Sequence, residues 1–140
     1  MAITLETYIH SNKANELSIN NKPDKKTEAS CIALIVRLLN PLENLFQPHA
    51  INLHSGYRSL ALNDVLKSKS TSQHLKGNAA DFNVVGISLP VAYRMILESN
   101  LIYDQLLLEG KEGSQWIHIS FNTSKQDTEQ RMQHLELPNA

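Results

Sequence analysis

The sequence predicts a single α+β domain in which a small antiparallel sheet packs against one or two core helices, and three observations lead there. A run from about residue 30 to residue 46 repeats apolar side chains at helical spacing. Residues 50–55, 79–85 and 115–121 instead alternate apolar and polar positions, as half-buried strands do. With 140 residues, the chain is long enough for a real core and short for two domains.

Taken in order, residues 4–17 place Leu5, Tyr8, Ile9, Ala14 and Leu17 in a loose helical pattern broken by Ser11-Asn12-Lys13, so a short helix or two turns is expected. Residues 20–26 form a polar linker with Pro23 as a stop, and Thr27-Glu28-Ala29-Ser30 then offers capping residues. The main core helix follows, built on Ile32, Ile35, Val36, Leu38, Leu39, Leu42, Leu45 and Phe46. Pro41 lies inside it and predicts a kink or break near Asn40, because proline removes a donor and its ring crowds the preceding turn. A strand over residues 50–55 ends at Gly56, and residues 60–66 suit a short helix leading into the polar loop 67–73. In the strand at 79–85, Asp81 and Asn83 share one face, while Ala80, Phe82 and Val84 share the other. Ser88-Leu89-Pro90 opens a helix, with proline early, where a missing donor costs little. Strands at 102–108 and 115–121 are joined by the turn Gly110-Lys111-Glu112-Gly113. The division expected is one domain over 1–140, with residues 1–26 as an N-terminal extension and 122–140 as a polar, less ordered tail.

A formal charge of −1 and a pI near 6.6 supply no general attraction to phosphates, which argues against nucleic acid as a partner. Cys31 is the only cysteine, so no internal disulfide is possible, and its apolar neighbours suggest a buried core thiol. The N-terminus lacks a basic start and an apolar stretch, so no secretory signal is expected. No apolar segment approaches the roughly 20 residues that span a bilayer, and no membrane partner is expected.

His74, Asp81 seven positions later, and His118 on an alternating apolar run are three ligand types that together suit a catalytic zinc with one coordination position left for water. Gly77 lets the chain turn sharply between the first two. A metal there would lower the pKa of bound water toward about 7 and polarise a carbonyl, which suits hydrolysis of an amide.

Beyond spacing, Ser55-Gly56-Tyr57-Arg58-Ser59, Leu62-Asn63, the run Ser72-Gln73-His74-Leu75-Lys76-Gly77-Asn78-Ala79-Ala80-Asp81-Phe82, Tyr103-Asp104-Gln105-Leu106-Leu107 with Glu109, and Trp116-Ile117-His118-Ile119-Ser120 occur in an order that closely resembles the D-alanyl-D-alanine carboxypeptidase-like zinc peptidases, metallopeptidase family fifteen. Their fold is shared with the hedgehog signalling domain, and the N-terminal segment and the Leu38-Leu39-Asn40-Pro41 helix look like the phage and prophage branch. The resemblance implies that His74, Asp81 and His118 are the zinc ligands. It further implies that Arg58 holds the substrate carbonyl or oxyanion, and that Ser72 lines the substrate cleft. The implied partner is a peptidoglycan stem peptide, cleaved next to a D-amino acid or between L-alanine and D-glutamate. An endolysin-type monomer is expected, cytoplasmic until released or virion-associated.

One position departs from the family pattern. Several active branches carry an acid three positions before the last histidine, as general base, and Gln115 stands there instead. Glu109 and Glu112 are the available carboxylates, and Glu109 is favoured because a strand end positions a side chain better than a glycine-flanked turn. The alternative is a catalytically impaired, zinc-containing module that binds cell wall or virion. Bland roles stand beside these assignments: an ion pair bracing a loop for Arg58, solvated charge for Glu109 and Glu112, core or cleft wall for Trp116, and a strand brace for Asp104-Gln105. His54 reads as a satisfied sheet residue, and His10, His49 and His134 as surface residues.

Overall fold

In the computed structural model, residues 3–111 and 113–136 are described. The elements follow as α1 (Leu5–Ile9), α2 (Asn12–Glu16), α3 (Lys25–Leu34), a π turn (Ile35–Leu39), α4 (Asn40–Phe46), β1 (Ile51–Ser55), α5 (Leu60–Val65), a 3-10 turn (Gln73–Lys76), β2 (Ala79–Val84), α6 (Leu89–Glu98), β3 (Gln105–Lys111), β4 (Ser114–Ser120), a second 3-10 turn (Asp127–Glu129) and β5 (Gln133–Glu136). One five-stranded sheet has the order β1-β2-β4-β3-β5. Every pairing is antiparallel except that of β5 with β3, so the α+β layout holds but the sheet is mixed.

The core helix starts earlier than the sequence suggested. The Asp24 carboxylate accepts from the Thr27 amide at 2.8 Å, satisfying a free donor and placing negative charge at the helix N-terminus. Nor does Pro41 break it: α3, the π turn and α4 run together as one 22-residue helix, Lys25–Phe46. The Asn40 amide donates to the Ile35 carbonyl, one residue further back than an α-helix would reach, and Pro41 falls in the first turn of α4, where its missing donor is tolerated. Because the proline is absorbed, this helix is long and apolar enough to cross a membrane by length and composition, contrary to the expectation above. Its apolar face is used inside the domain: Cys31, Leu34, Leu38, Leu39 and Leu42 are fully buried, which is consistent with a soluble protein. They pack with Ala80, Phe82 and Val84 of β2, Leu106 and Leu108 of β3, and Ile117 and Ile119 of β4 in one core. Each fully buried Leu or Ile contributes roughly 1.5–3 kcal/mol relative to exposure.

The first and last described segments are both tied to this core. Tyr8 of α1 is wholly buried and its hydroxyl donates to the Ala79 carbonyl at 2.6 Å. Asn21 donates to the Ile9 and Tyr57 carbonyls and accepts from the Ser59 amide, stitching the N-terminal segment to the chain after β1. At the other end, residues expected to be less ordered form β5 on the β3 edge. Arg37 donates to the Lys125 carbonyl, pairs with Asp127 at 3.1 Å, and lies 4.2 Å over the Phe121 ring. Asp104 is buried and grips Arg131 at 2.7 Å. Main-chain pairing on a sheet edge needs no apolar side chains, so a polar composition did not reveal this strand.

Candidate metal centre

β2 and β4 are neighbours, and Asp81 stands directly opposite His118 in their register. The two-residue period of a strand sends both side chains to the face away from Phe82, Ile117 and Ile119, which fill the core. His74 arrives from the 3-10 turn. Ser72 caps that turn by accepting from the His74 amide, and Gly77 ends it at φ +68°, where a Cβ would also lie 2.7 Å from Cys31 Sγ. Cys31 is itself buried and its thiol is pushed up to about 12, so it is a packing residue beneath the site.

One donor atom from each of His74, Asp81 and His118 lies within 4.8 Å of the others, and all three residues are buried. His74 Nδ1 lies 2.7 Å from the Gly56 carbonyl oxygen and donates to it, which leaves Nε2 facing Asp81 Oδ2 at 3.2 Å. His118 Nδ1 lies 2.9 Å from Asp81 Oδ1, while its Nε2 meets Gln73 Oε1 at 2.8 Å. The two rings stand edge to face with centroids 5.4 Å apart. Burial opposes charge on the Asp81 carboxyl, but the facing His74 and His118 imidazoles prevail and hold it well below the usual carboxylate range. Two imidazole nitrogens and a carboxylate oxygen on rigid mounts are a donor set that fits zinc, with the open side toward a cleft of about 720 Å³.

Arg58 lines that cleft and forms the ion pair weighed for it. Its Nη2 is 3.4 Å from Asp81 Oδ2, while Nε and Nη1 donate to Ser55 and Ser68 hydroxyls at 3.0 and 3.3 Å. Burial draws the guanidinium down from its ordinary value, with Asp81 and Glu109 opposing. Ser72 and Trp116 also line the cleft. Glu109 pairs with Trp116 and so shares the His118 face, its Oε1 3.9 Å from His118 Nδ1. Gln115 pairs with Gly110 one position out of phase, is exposed, and is not among the cleft residues. Glu112 lies outside the described residues.

His54 is exposed on β1 and bonds Asn83, away from the three clustered residues. His10, His49 and His134 are also exposed. Asp104 braces Arg131, which lines the cleft with Gln105, Lys67 and Lys69. The sequence pointed to none of the cleft cations beyond Arg58. Gln73 was passed over too, although it directly precedes His74; strand and turn periodicity alone does not reveal that its amide reaches the far side of His118.

A small α+β domain with a buried His-Asp-His set at the floor of an open cleft defines a metallohydrolase-type centre. The chain belongs to the peptidase M15 family, whose model matches residues 3–120. No curated protein matches it. Membership supports a zinc metallopeptidase acting on peptidoglycan-like substrates in general.

Proposed function

We propose that the chain is a zinc-dependent peptidase that hydrolyses peptidoglycan stem peptides, as a D,D- or L,D-type carboxypeptidase or endopeptidase, in phage-type cell-wall lysis. The observation that carries this reading is the convergence of His74, Asp81 and His118 beneath a cleft whose same face presents Glu109 and Arg58. His74 through Nε2, Asp81 through its carboxylate and His118 through Nδ1 are the ligands. When bound, zinc supplies a Lewis acid for the scissile carbonyl and acidifies water.

The chain's own groups account for the rest. Arg58, held by Ser55 and Ser68, presents fixed donors to the carbonyl oxygen as charge develops on it. Ser72 lines the substrate path. Glu109 takes a proton from the attacking water and returns it to the leaving amine. The alternative, a catalytically impaired zinc-containing binding module, draws its force from Gln115, an amide where several active branches carry an acid; what supports the enzyme reading is Glu109 on the His118 face of the cleft. We place the protein in the cytoplasm until release, or on the virion, acting as a monomer.

The test is mass spectrometry of muropeptides incubated with the zinc-loaded chain. Release of D-alanine or separation of a cross-linked or stem peptide is expected, and an unchanged muropeptide profile would overturn the proposal.

A further inference from the structure

The two imidazoles of the site are anchored by different means. On His74 the outer nitrogen, Nδ1, donates to a main-chain oxygen, that of Gly56. On His118 the outer nitrogen, Nε2, meets a side chain, Gln73 Oε1 at 2.8 Å. A histidine that binds a metal through Nδ1 must carry its proton on Nε2, and that N–H, removed from water, needs an acceptor. His118 is 8% exposed, and the Gln73 oxygen is the partner in reach of its Nε2.

Gln73 is well placed to hold still. It opens the 3-10 turn that carries His74, and its own carbonyl accepts from the Gly77 and Asn78 amides. The same short turn therefore delivers one imidazole directly and orients the other from behind.

We propose that Gln73 is a positioning residue of the metal centre: its side-chain carbonyl fixes the tautomer and ring orientation in which His118 presents Nδ1 to the ion. This rests on the reading of His118 as a ligand given above. Outer partners of this kind are worth roughly 10–100-fold in metal affinity when removed. A plain cleft-wall role would instead affect the binding of substrate.

Zinc dissociation constants measured by chelator competition test this in Gln73→Leu, which removes the acceptor at similar size, and in Gln73→Glu, which keeps one. Gln73→Leu should bind zinc about 10–100-fold more weakly, with KM little changed at saturating zinc, and Gln73→Glu should bind at least as tightly as the parent. In the zinc-loaded parent, NMR of the His118 ring should show the proton on Nε2 and the metal on Nδ1. Unchanged zinc affinity in Gln73→Leu with a raised KM would overturn the proposal. Should that variant not fold, a folded Gln73→Glu with weakened zinc binding overturns it equally. His118→Ala separates the two levels: parental zinc affinity there refutes the ligand reading itself, whereas lost affinity there with intact affinity in Gln73→Leu refutes the positioning role alone.

Discussion

Replacing Glu109 by glutamine is the sharpest perturbation of the proposed chemistry, because it preserves shape while removing the only cleft carboxylate besides Asp81 among the described residues. Glu109 Oε1 lies 3.9 Å from His118 Nδ1, close enough to reach a water on the open side of the site without displacing a ligand. Its side chain is 29% exposed, so the carboxyl group is accessible from the cleft. General-base catalysis is worth about 10²–10⁴ in rate, and at about 1.36 kcal/mol per factor of ten this is roughly 2.7–5.4 kcal/mol of barrier. Glu109→Gln should therefore lower kcat on a muropeptide substrate about 10²–10⁴-fold at saturating zinc. Zinc affinity and Tm should stay near parental values, since the His-Asp-His set is intact. Gln115→Ala, on the opposite strand phase, should leave kcat unchanged. A Glu109→Gln enzyme within about threefold of the parent, or a Gln115→Ala enzyme that loses turnover, would refute the assignment of the base.

Other expectations concern the scaffold. At Gly56 a Cβ would lie 2.1 Å from the Tyr8 carbonyl oxygen, so Gly56→Ala should destabilise the domain by about 1–3 kcal/mol or more in urea unfolding. It should also disturb His74, whose ring donates to that residue's carbonyl; parental stability would contradict the packing described. The Arg131 guanidinium beside Asp104 holds its carboxyl below the ordinary value. A depressed acid stabilises the folded state above the unfolded pKa of about 3.9, and that contribution is lost as pH falls through the lower folded value. Amide protection of residues 133–136 should accordingly be retained at pH 6 and fall below about pH 4, and Asp104→Asn should lower it at pH 6 while converging with the parent as the pH falls below the folded value. Equal protection at pH 6 in the parent and in Asp104→Asn would show that this ion pair does not anchor β5.

The residues of the site were more legible in the sequence than the contacts that organise them. Asp81 and His118 sit on alternating runs, so their shared solvent-side face followed from the strand period alone. Glu109 shows why phase matters more than register. The expected turn spanned residues 110–113, which would have set Glu109 opposite Ser114, whereas Lys111 pairs with Ser114 and Glu109 with Trp116. The error is two residues, so the face is unchanged and Glu109 moves along the strand toward His118 by about 6.6 Å. A one-residue slip would have pointed it away. Gln115 pairs with Gly110, in the opposite strand phase to Glu109.

What stayed hidden depends on partners distant in the chain. Pro41 reads locally as a break, and only the wider π turn lets the helix pass it. β5 has one apolar residue, the exposed Leu135, and its place is set by main-chain pairing with Asp104 and Arg37 as clamps, none of which leaves a hydrophobic pattern. Asp24 rather than the 27–30 segment caps the core helix, because one well-placed carboxylate suffices to start it.

The account stands on three side chains sharing one ion. Anomalous diffraction at the zinc edge from crystals of the zinc-loaded chain tests it most directly. A single strong peak about 2.0–2.2 Å from His74 Nε2, an Asp81 oxygen and His118 Nδ1 is the expected result. Zinc bound at some other cluster of the chain, with these three residues uncoordinated, would contradict it.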